Sequence, residues 1–299
     1  MRAICGTFSD HAGYCDVAPL DRGENVRREI CLTLEEMGIR PESSHHEQGP
    51  GQNEIAFHYD DAVTAADNLI TFKNVVKAVA SRNGLFASFL PKPVSGKSGS
   101  GLHVNLSLFR NGQNLFRSGS SEHSREAESF LMGILSRVGE MTAFLNPLTN
   151  SYRRFGVCEA PRYLTWSHQN RSQLIRIPAA TGEYSRMELR SPDPSCNPYL
   201  AFGLLLLAGL EGIEKGLPLC PPTNRNLFLD PPGEEEGISA LPGSLEEALD
   251  QAEASAFIRS ALPEEPLSKY LAAKREECEA ARSSGNALLY EENAWFPVV

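Results

Sequence analysis

Leu102-His-Val-Asn-Leu-Ser-Leu-Phe109 alternates between apolar and polar residues along its length. Strand side chains point to opposite faces with period two, so Leu102, Val104, Leu106 and Leu108 share one face and His103, Asn105 and Ser107 the other. Arg186-Met-Glu-Leu-Arg190 repeats the pattern, with Met187 and Leu189 on one side and Arg186, Glu188 and Arg190 on the other. Strands that are apolar on one face and polar on the other belong to an antiparallel or mixed sheet, one face covered by helices and the other open.

The flanking sequence supplies the helices. Residues 23–37 place Val26, Ile30, Leu34 and Met37 on one stripe, with Gly38 as the stop. Residues 61–83 form a long amphipathic helix ending at Gly84, and 121–145 form another. Asn197 and Pro198, an N-cap with a first-turn proline, open an apolar helix through Glu214. Ser244 and Glu247 have capping-box spacing, and 267–282 is the last helix. Further strands are predicted at 39–46, 54–59 (Ile55, Phe57 and Tyr59 on one face), 85–90, 163–167, 173–178 and 186–191, with 217–242 a Pro/Gly-rich surface excursion. The fold class is therefore α+β.

Composition narrows the function. The 299 residues are 41% hydrophobic and 22% charged, the profile of a globular chain. A net charge of −10 disfavours a nucleic-acid partner and an anionic membrane surface, both of which need clustered Lys and Arg. The longest apolar run, Leu200–Leu210, is short of the roughly 20 residues that span a bilayer and reads as a buried helix. The first residues lack a signal peptide's apolar stretch. Seven scattered cysteines (Cys5, Cys15, Cys31, Cys158, Cys196, Cys220, Cys278) form no CxxC pair, which points to a reducing compartment and a cytoplasmic chain.

Three polar segments carry candidate chemistry. Arg186, Glu188 and Arg190 suit an anionic ligand plus a metal, or equally a solvated face with surface ion pairs. His45-His-Glu-Gln-Gly-Pro-Gly-Gln-Asn-Glu54 gathers His45, His46, Glu47 and Glu54 around a tight loop, donors for Mg2+ or Mn2+ or merely a turn. Arg171 and Arg176 stand at a strand entrance, as phosphate-handling cations or as ordinary surface arginines. Gly96-Lys-Ser-Gly-Ser-Gly101 lacks the Walker spacing and precedes a strand, so it is no P-loop.

Taken in order, HHEQGPGQNE (45–54), FLPKPVSGKSGSGLHVNLSLF (89–109), NPLTNSYRRF (146–155), EAPRYLTWSHQNRSQLIRIP (159–178) and RMELRSPDPSCNPYLAFGLLLLAGLEGI (186–213) resemble the catalytic domain of glutamine synthetase from about Ala12 onward. The resemblance implies a curved antiparallel or mixed sheet backed by helices, residues 1–299 forming one catalytic domain, and two divalent ions, Mg2+ or Mn2+. It implies ATP and a glutamate-like substrate, phosphorylation of the γ-carboxylate, and attack by ammonia on the acyl phosphate. Residue by residue, Glu47 and Glu54 match ligands of one metal and His103 and Glu188 ligands of the other. Gly99, Arg154 and Arg190 match glutamate contacts, and Arg171 matches the arginine serving glutamate and the transferred phosphoryl group. Glu42, Tyr59, Ser107, Arg176 and Arg186 match ATP contacts. Glu159 matches the flap glutamate that shields the intermediate and helps to deprotonate ammonium. The family assembles as homo-oligomeric rings.

The sequence departs from that pattern. No N-terminal β-grasp domain and no E-x-E strand precede the matched region, so the expectation is a truncated catalytic domain that by itself makes little glutamine. Asn105 stands where a histidine is usual and Ser98 where an asparagine is. The segment between Arg154 and Glu159 is one residue short, which implies a displaced flap. Phe228 stands where some bacterial members carry a regulatory tyrosine. Two alternatives stay beside the glutamine-forming ligase: a γ-glutamyl ligase that uses an organic amine, and a non-catalytic subunit.

Overall fold

The computed structural model describes residues 8–116, 123–180 and 182–299; Cys5 and the first two residues of the helix predicted at 121–145 lie outside them. The chain forms two compact units, one reaching to Gly99 and including Glu292–Val299, the other Ser100–Glu291.

In the first unit, α1 (Glu24–Glu36) and α2 (Ala62–Arg82) pack on a hairpin of β1 (Pro41–His46) and β2 (Asn53–Phe57). Asp61 caps α2 by accepting from the Val63 and Thr64 N–H groups, satisfying donors the helix cannot pair internally. Ile30, Leu34, Ile39, Val75 and Val79 form the core, with Val26, Ile55 and Phe57 against it. Two stripe residues depart from expectation. Met37 is 56% exposed because it is the C-cap, where the helical direction is lost. Tyr59 is 53% exposed because β2 ends at Phe57, and its ring stacks on His58 instead. Residues 85–90 are not a strand: Phe89 N–H donates to the Val299 carbonyl and Ser88 Oγ to the Phe296 carbonyl, so the C-terminus, not a sheet, takes their hydrogen bonds.

The second unit is built on a mixed four-stranded sheet ordered β3 (Val104–Leu106), β8 (Met187–Leu189), β7 (Ile175–Ile177), β6 (Trp166–His168). β3–β8 and β7–β8 are antiparallel and β6–β7 parallel. A small hairpin, β4 (Phe109–Arg110) and β5 (Gln113–Asn114), follows β3. The expected sidedness holds on the apolar face, where Val104, Met187 and Leu189 enter the core. On the polar face His103 and Asn105 are exposed as expected, while Glu188 and Arg190 are buried.

Helices α3 (Arg125–Leu145) and α4 (Pro198–Lys215) form the main pair of this unit. Ser124 caps α3 through the Ala127 N–H, so α3 starts at Arg125. Asn197 caps α4 through the Tyr199 and Leu200 N–H groups. Leu207 and Leu210 are exposed, so α4 is buried along one side and not all round. α5 (Leu245–Ala254), α6 (Ala256–Ala261) and α7 (Glu264–Ser283) complete the helical layer. Regular structure does not end near 282: Asn286 accepts from the Leu289 N–H and a further helix, α8 (Ala287–Trp295), follows. Segment 217–242 is more than a surface excursion. Thr223 N–H donates to the Trp166 carbonyl, Leu241 N–H to that of Arg162, and Leu227 and Leu241 are buried. Among the described residues no helix is long and apolar enough to cross a membrane.

An ion pair ties α3 to α4: Arg137 Nε donates to Glu211 Oε2 at 2.8 Å and Nη2 to Oε1 at 3.0 Å. The Arg137 hydrogen bonds hold the Glu211 carboxyl down at about 2 from its usual 4.5. A carboxylate whose folded pKa is depressed stabilises the protein above its unfolded pKa, and that stability is lost as pH falls through the folded value. Glu211→Gln should therefore cost about 1 kcal/mol near neutrality. The gap to the parent should narrow as pH drops below 4.5 and close near 2. Thermal melts of both chains across that range check it, and a gap independent of pH would contradict it.

Candidate active site and metal centre

In the first unit the strand period sorts the His-His-Glu run into two faces. His46 points inward and is fully buried; its Nε2 meets Asp10 Oδ1 at 2.8 Å and its Nδ1 the Glu47 carbonyl at 2.6 Å. Both nitrogens are engaged, so His46 is a structural residue and drops out of the candidate ligands. His45 and Glu47 point the other way. The β1–β2 register sets His45 directly opposite Glu54, and cross-strand partners project to the same side. One ligand atom from each of His45, Glu47 and Glu54 lies within 4.8 Å of the others. His45 Nε2 is 3.4 Å from Glu47 Oε1, yet it is a buried nitrogen that makes no hydrogen bond. One imidazole nitrogen and two carboxylates, aimed at a common point with the nitrogen unsatisfied, fit a divalent cation.

Glu42 and Tyr59 belong to the other end of the hairpin, where Pro41 pairs with Phe57 and the register slips around Glu42. Gly99 comes near the turn through its carbonyl, which accepts from Gln52 Nε2 at 2.8 Å.

In the second unit Glu188 is the hub. It occupies β8 with Asn105 of β3 on one side and Arg176 of β7 on the other. Only 5% exposed, it meets Arg176 Nε at 2.6 Å, Arg190 Nη1 at 3.4 Å and His103 Nδ1 at 3.4 Å. His103 keeps 35% of its side-chain surface. The crowding around its ring, and then the charges of Arg190, Arg154, Arg176 and Arg171, push its pKa well below the usual histidine value. The imidazole is thereby held neutral, the form that ligates metals. His103 and Glu188 could hold a cation, with arginines supplying positive charge beside it for an anionic ligand.

Arg154, 3% exposed, is fixed by Nη1 on the Ser191 carbonyl at 2.9 Å. Gly101 lets it close on His103: a Cβ there would lie 3.0 Å from Arg154 Nη2 and 3.3 Å from His103 Nε2. Arg190 Nη2 donates to the Glu159 carbonyl at 3.3 Å, and the Glu159 carboxylate lies 3.6 Å from Arg171 Nη1. Cys158 and Glu159 both take positive φ, 48° and 63°, a strained backbone that Arg190 helps to hold. Arg186 Nε donates to Asn105 Oδ1 at 3.0 Å, which gives the departing Asn105 a role the sequence did not suggest. Ser107 lies one residue past the end of β3, half-buried. The surface-face alternative for Glu188 and Arg190 is excluded by their burial.

A family model described as glutamine synthetase, catalytic domain, matches residues 4–291. This chain belongs to that family. It is 50% identical over 275 residues to the glutamine synthetase of Methanosarcina mazei, an alignment covering 90% of this chain and 62% of that protein. It is 48% identical over 287 residues to that of Clostridium saccharobutylicum, covering 94% and 65%. The chain thus spans less than two thirds of the length of these curated relatives. A solved GmaS/ADP complex is similar in fold, with a TM-score of 0.84 at 32% identity, covering 93% of this chain and 65% of that one. The Plasmodium falciparum glutamine synthetase structure gives 0.82 at 29%, covering 96% and 64%. The glutamine synthetase fold class expected from the sequence is therefore met.

Proposed function

We propose that this chain carries the catalytic machinery of an ATP-dependent carboxylate–amine ligase of glutamine synthetase type, joining glutamate and ammonia. The observation that carries the proposal is the buried Glu188 carboxylate, held between Arg176, Arg190 and His103 on the polar face of the sheet, in a chain belonging to this family. A buried acid ringed by cations is costly as mere structure and favourable where phosphate and metal charges must be balanced.

In this reading His45, Glu47 and Glu54 hold one divalent ion, Mg2+ or Mn2+, and His103 with Glu188 the other. Bound ions would offset negative charge as a phosphoryl group is transferred. Arg154 and Arg190, with Gly99, bind and orient the glutamate carboxylates. Arg171 serves the transferring phosphoryl oxygens. Arg176, Arg186, Ser107, Glu42 and Tyr59 serve the nucleotide, Arg186 being set in place by Asn105. Glu159 shields the acyl phosphate from water and accepts a proton from ammonium. The buried guanidinium groups of Arg154 and Arg190 need not reorient as charge develops, which is where such a site gains rate. Residues 1–299 act as one catalytic domain of a cytoplasmic homo-oligomer.

Calorimetric titration of the purified chain should show Mn2+ binding that Glu47→Ala together with Glu188→Ala abolishes. ATP should bind only with the metal present, and Arg186→Ala should weaken it by at least about tenfold, the scale of a lost charge-assisted contact. Metal binding untouched by the double substitution, or ATP binding that ignores both metal and Arg186, would overturn the assignment. Product analysis with ammonia against small primary amines separates glutamine formation from the organic-amine alternative, and no product from either points to a non-catalytic subunit.

A further inference from the structure

Arg154 is a cation that water scarcely reaches, 3% exposed. Among the described residues its hydrogen bonds go to main-chain carbonyls, Nη1 donating to Ser191 at 2.9 Å and reaching Pro192 at 3.4 Å, and no carboxylate pairs with it directly. Nη2 lies beside Gly101 and His103. A buried charge is costly unless it is held and balanced. The carbonyls on Nη1 belong to a short segment whose far end is fixed by Asp193, a fully buried acid. The Asp193 carboxylate accepts from Asn146 Nδ2 at 2.9 Å, from the Ser195 N–H at 3.0 Å and from the Ser195 hydroxyl. Its own N–H donates to the Leu145 carbonyl at 3.2 Å. The Asn146 amide also donates to the Ser191 carbonyl at 2.8 Å. Because Asn146 is the C-cap of α3, residues 191–193 are pinned to the end of that helix. Burial pushes the Arg154 pKa below the usual arginine value; the Asp193 charge opposes that fall and the Arg190 charge adds to it.

We infer that Asp193 is the positioning residue of Arg154: its buried carboxylate fixes the carbonyls that grip Nη1 and balances the guanidinium charge from one remove. This rests on the reading of Arg154 as a glutamate contact and deepens it. A carboxylate in direct contact with Arg154 would compete with the substrate's own. Set behind the Ser191–Pro192 carbonyls, Asp193 offsets the charge and leaves Nη2 to the ligand. A guanidinium ordered and desolvated before the ligand arrives adds more to binding than one that must be ordered on arrival.

The test uses the 299-residue chain with glutamate and ADP as probes, each titrated calorimetrically in the presence of Mn2+. Asp193→Asn keeps the shape of the side chain and removes its charge. It should weaken glutamate binding by at least about tenfold, the scale of a charge-assisted contact, and ADP binding by less than about twofold. Circular dichroism checks the fold. A cycle with Arg154→Met separates positioning from structure, because residues that act through one another do not add. Asp193→Asn should lower the melting temperature of the parent, yet leave unchanged or raise that of Arg154→Met, where the carboxylate has no cation to balance. A merely structural Asp193 would cost the same in both backgrounds. If Arg154→Met weakens glutamate binding while Asp193→Asn does not, or if the two stability losses add, the inference is overturned and the glutamate assignment of Arg154 stands. If Arg154→Met leaves glutamate binding as it is, or the parent binds none, both fall together.

Discussion

Gly133→Ala should unfold the second unit at temperatures where the parent is intact. A Cβ at Gly133 of α3 would lie 2.2 Å from the Ala208 carbonyl oxygen of α4 and 2.9 Å from Gly212 Cα. The reverse contact is as tight, a Cβ at Gly212 falling 2.1 Å from the Ser129 carbonyl oxygen. These neighbours are backbone, so no side chain can swing aside, and relief requires the two helices to separate. Phe130, fully buried beneath Gly209, and the surrounding core then lose contacts as well. Overpacking in a tight core costs roughly 1–3 kcal/mol where side chains can adjust, and here the upper end or more is expected. For a unit of this size about 3 kcal/mol lowers the melting temperature by roughly 10 °C. Gly203→Ala is the control: nothing lies within 4 Å of a Cβ there, so it should match or exceed the parent's stability. Calorimetry of the two variants decides it; equal melting temperatures would mean that the helices do not meet at Gly133.

Glu188→Ala should destabilise the same unit by about 3–5 kcal/mol, because removing one partner of a buried ion pair strands the other charge. Two guanidinium groups would be stranded, Arg176 at 2.6 Å and the 3%-exposed Arg190 at 3.4 Å. The double variant Glu188→Ala/Arg176→Met should recover part of the loss, since it deletes a cation that has lost its carboxylate. A purely packing role predicts the opposite, with the two losses adding. Urea denaturation of parent, both single variants and the double variant closes the cycle. A loss under 1 kcal/mol for Glu188→Ala would show that water reaches the two arginines and that Glu188 is not the hub described above.

Much of this was legible in the sequence because it rests on local rules. Alternation alone put Val104, Met187 and Leu189 in the core, and capping chemistry placed the starts of the helices after Asn197 and Ser244. Residues 85–90 were misread for a physical reason: their apolar character suits a strand, but a strand exists only with a pairing partner, and theirs is the C-terminal carbonyls of Phe296 and Val299. The site divides in the same way. Alternation set Glu188 and Arg190 on one face, but not whether water reached it, and that distinguishes surface charges from a buried hub.

What the sequence by itself determined is the period of each element and the set of charged groups each one offers, since both follow from backbone geometry and residue type. Which groups meet was decided by the tertiary structure. Register, set by pairing between segments far apart in the chain, put His45 opposite Glu54 and stationed Arg176 beside Glu188. Burial, set by helices packed on the sheet, separated His46, satisfied by the distant Asp10, from His45, whose Nε2 is buried without a hydrogen bond. Pairing and burial are long-range outcomes of where whole surfaces fit, and no local pattern contains them.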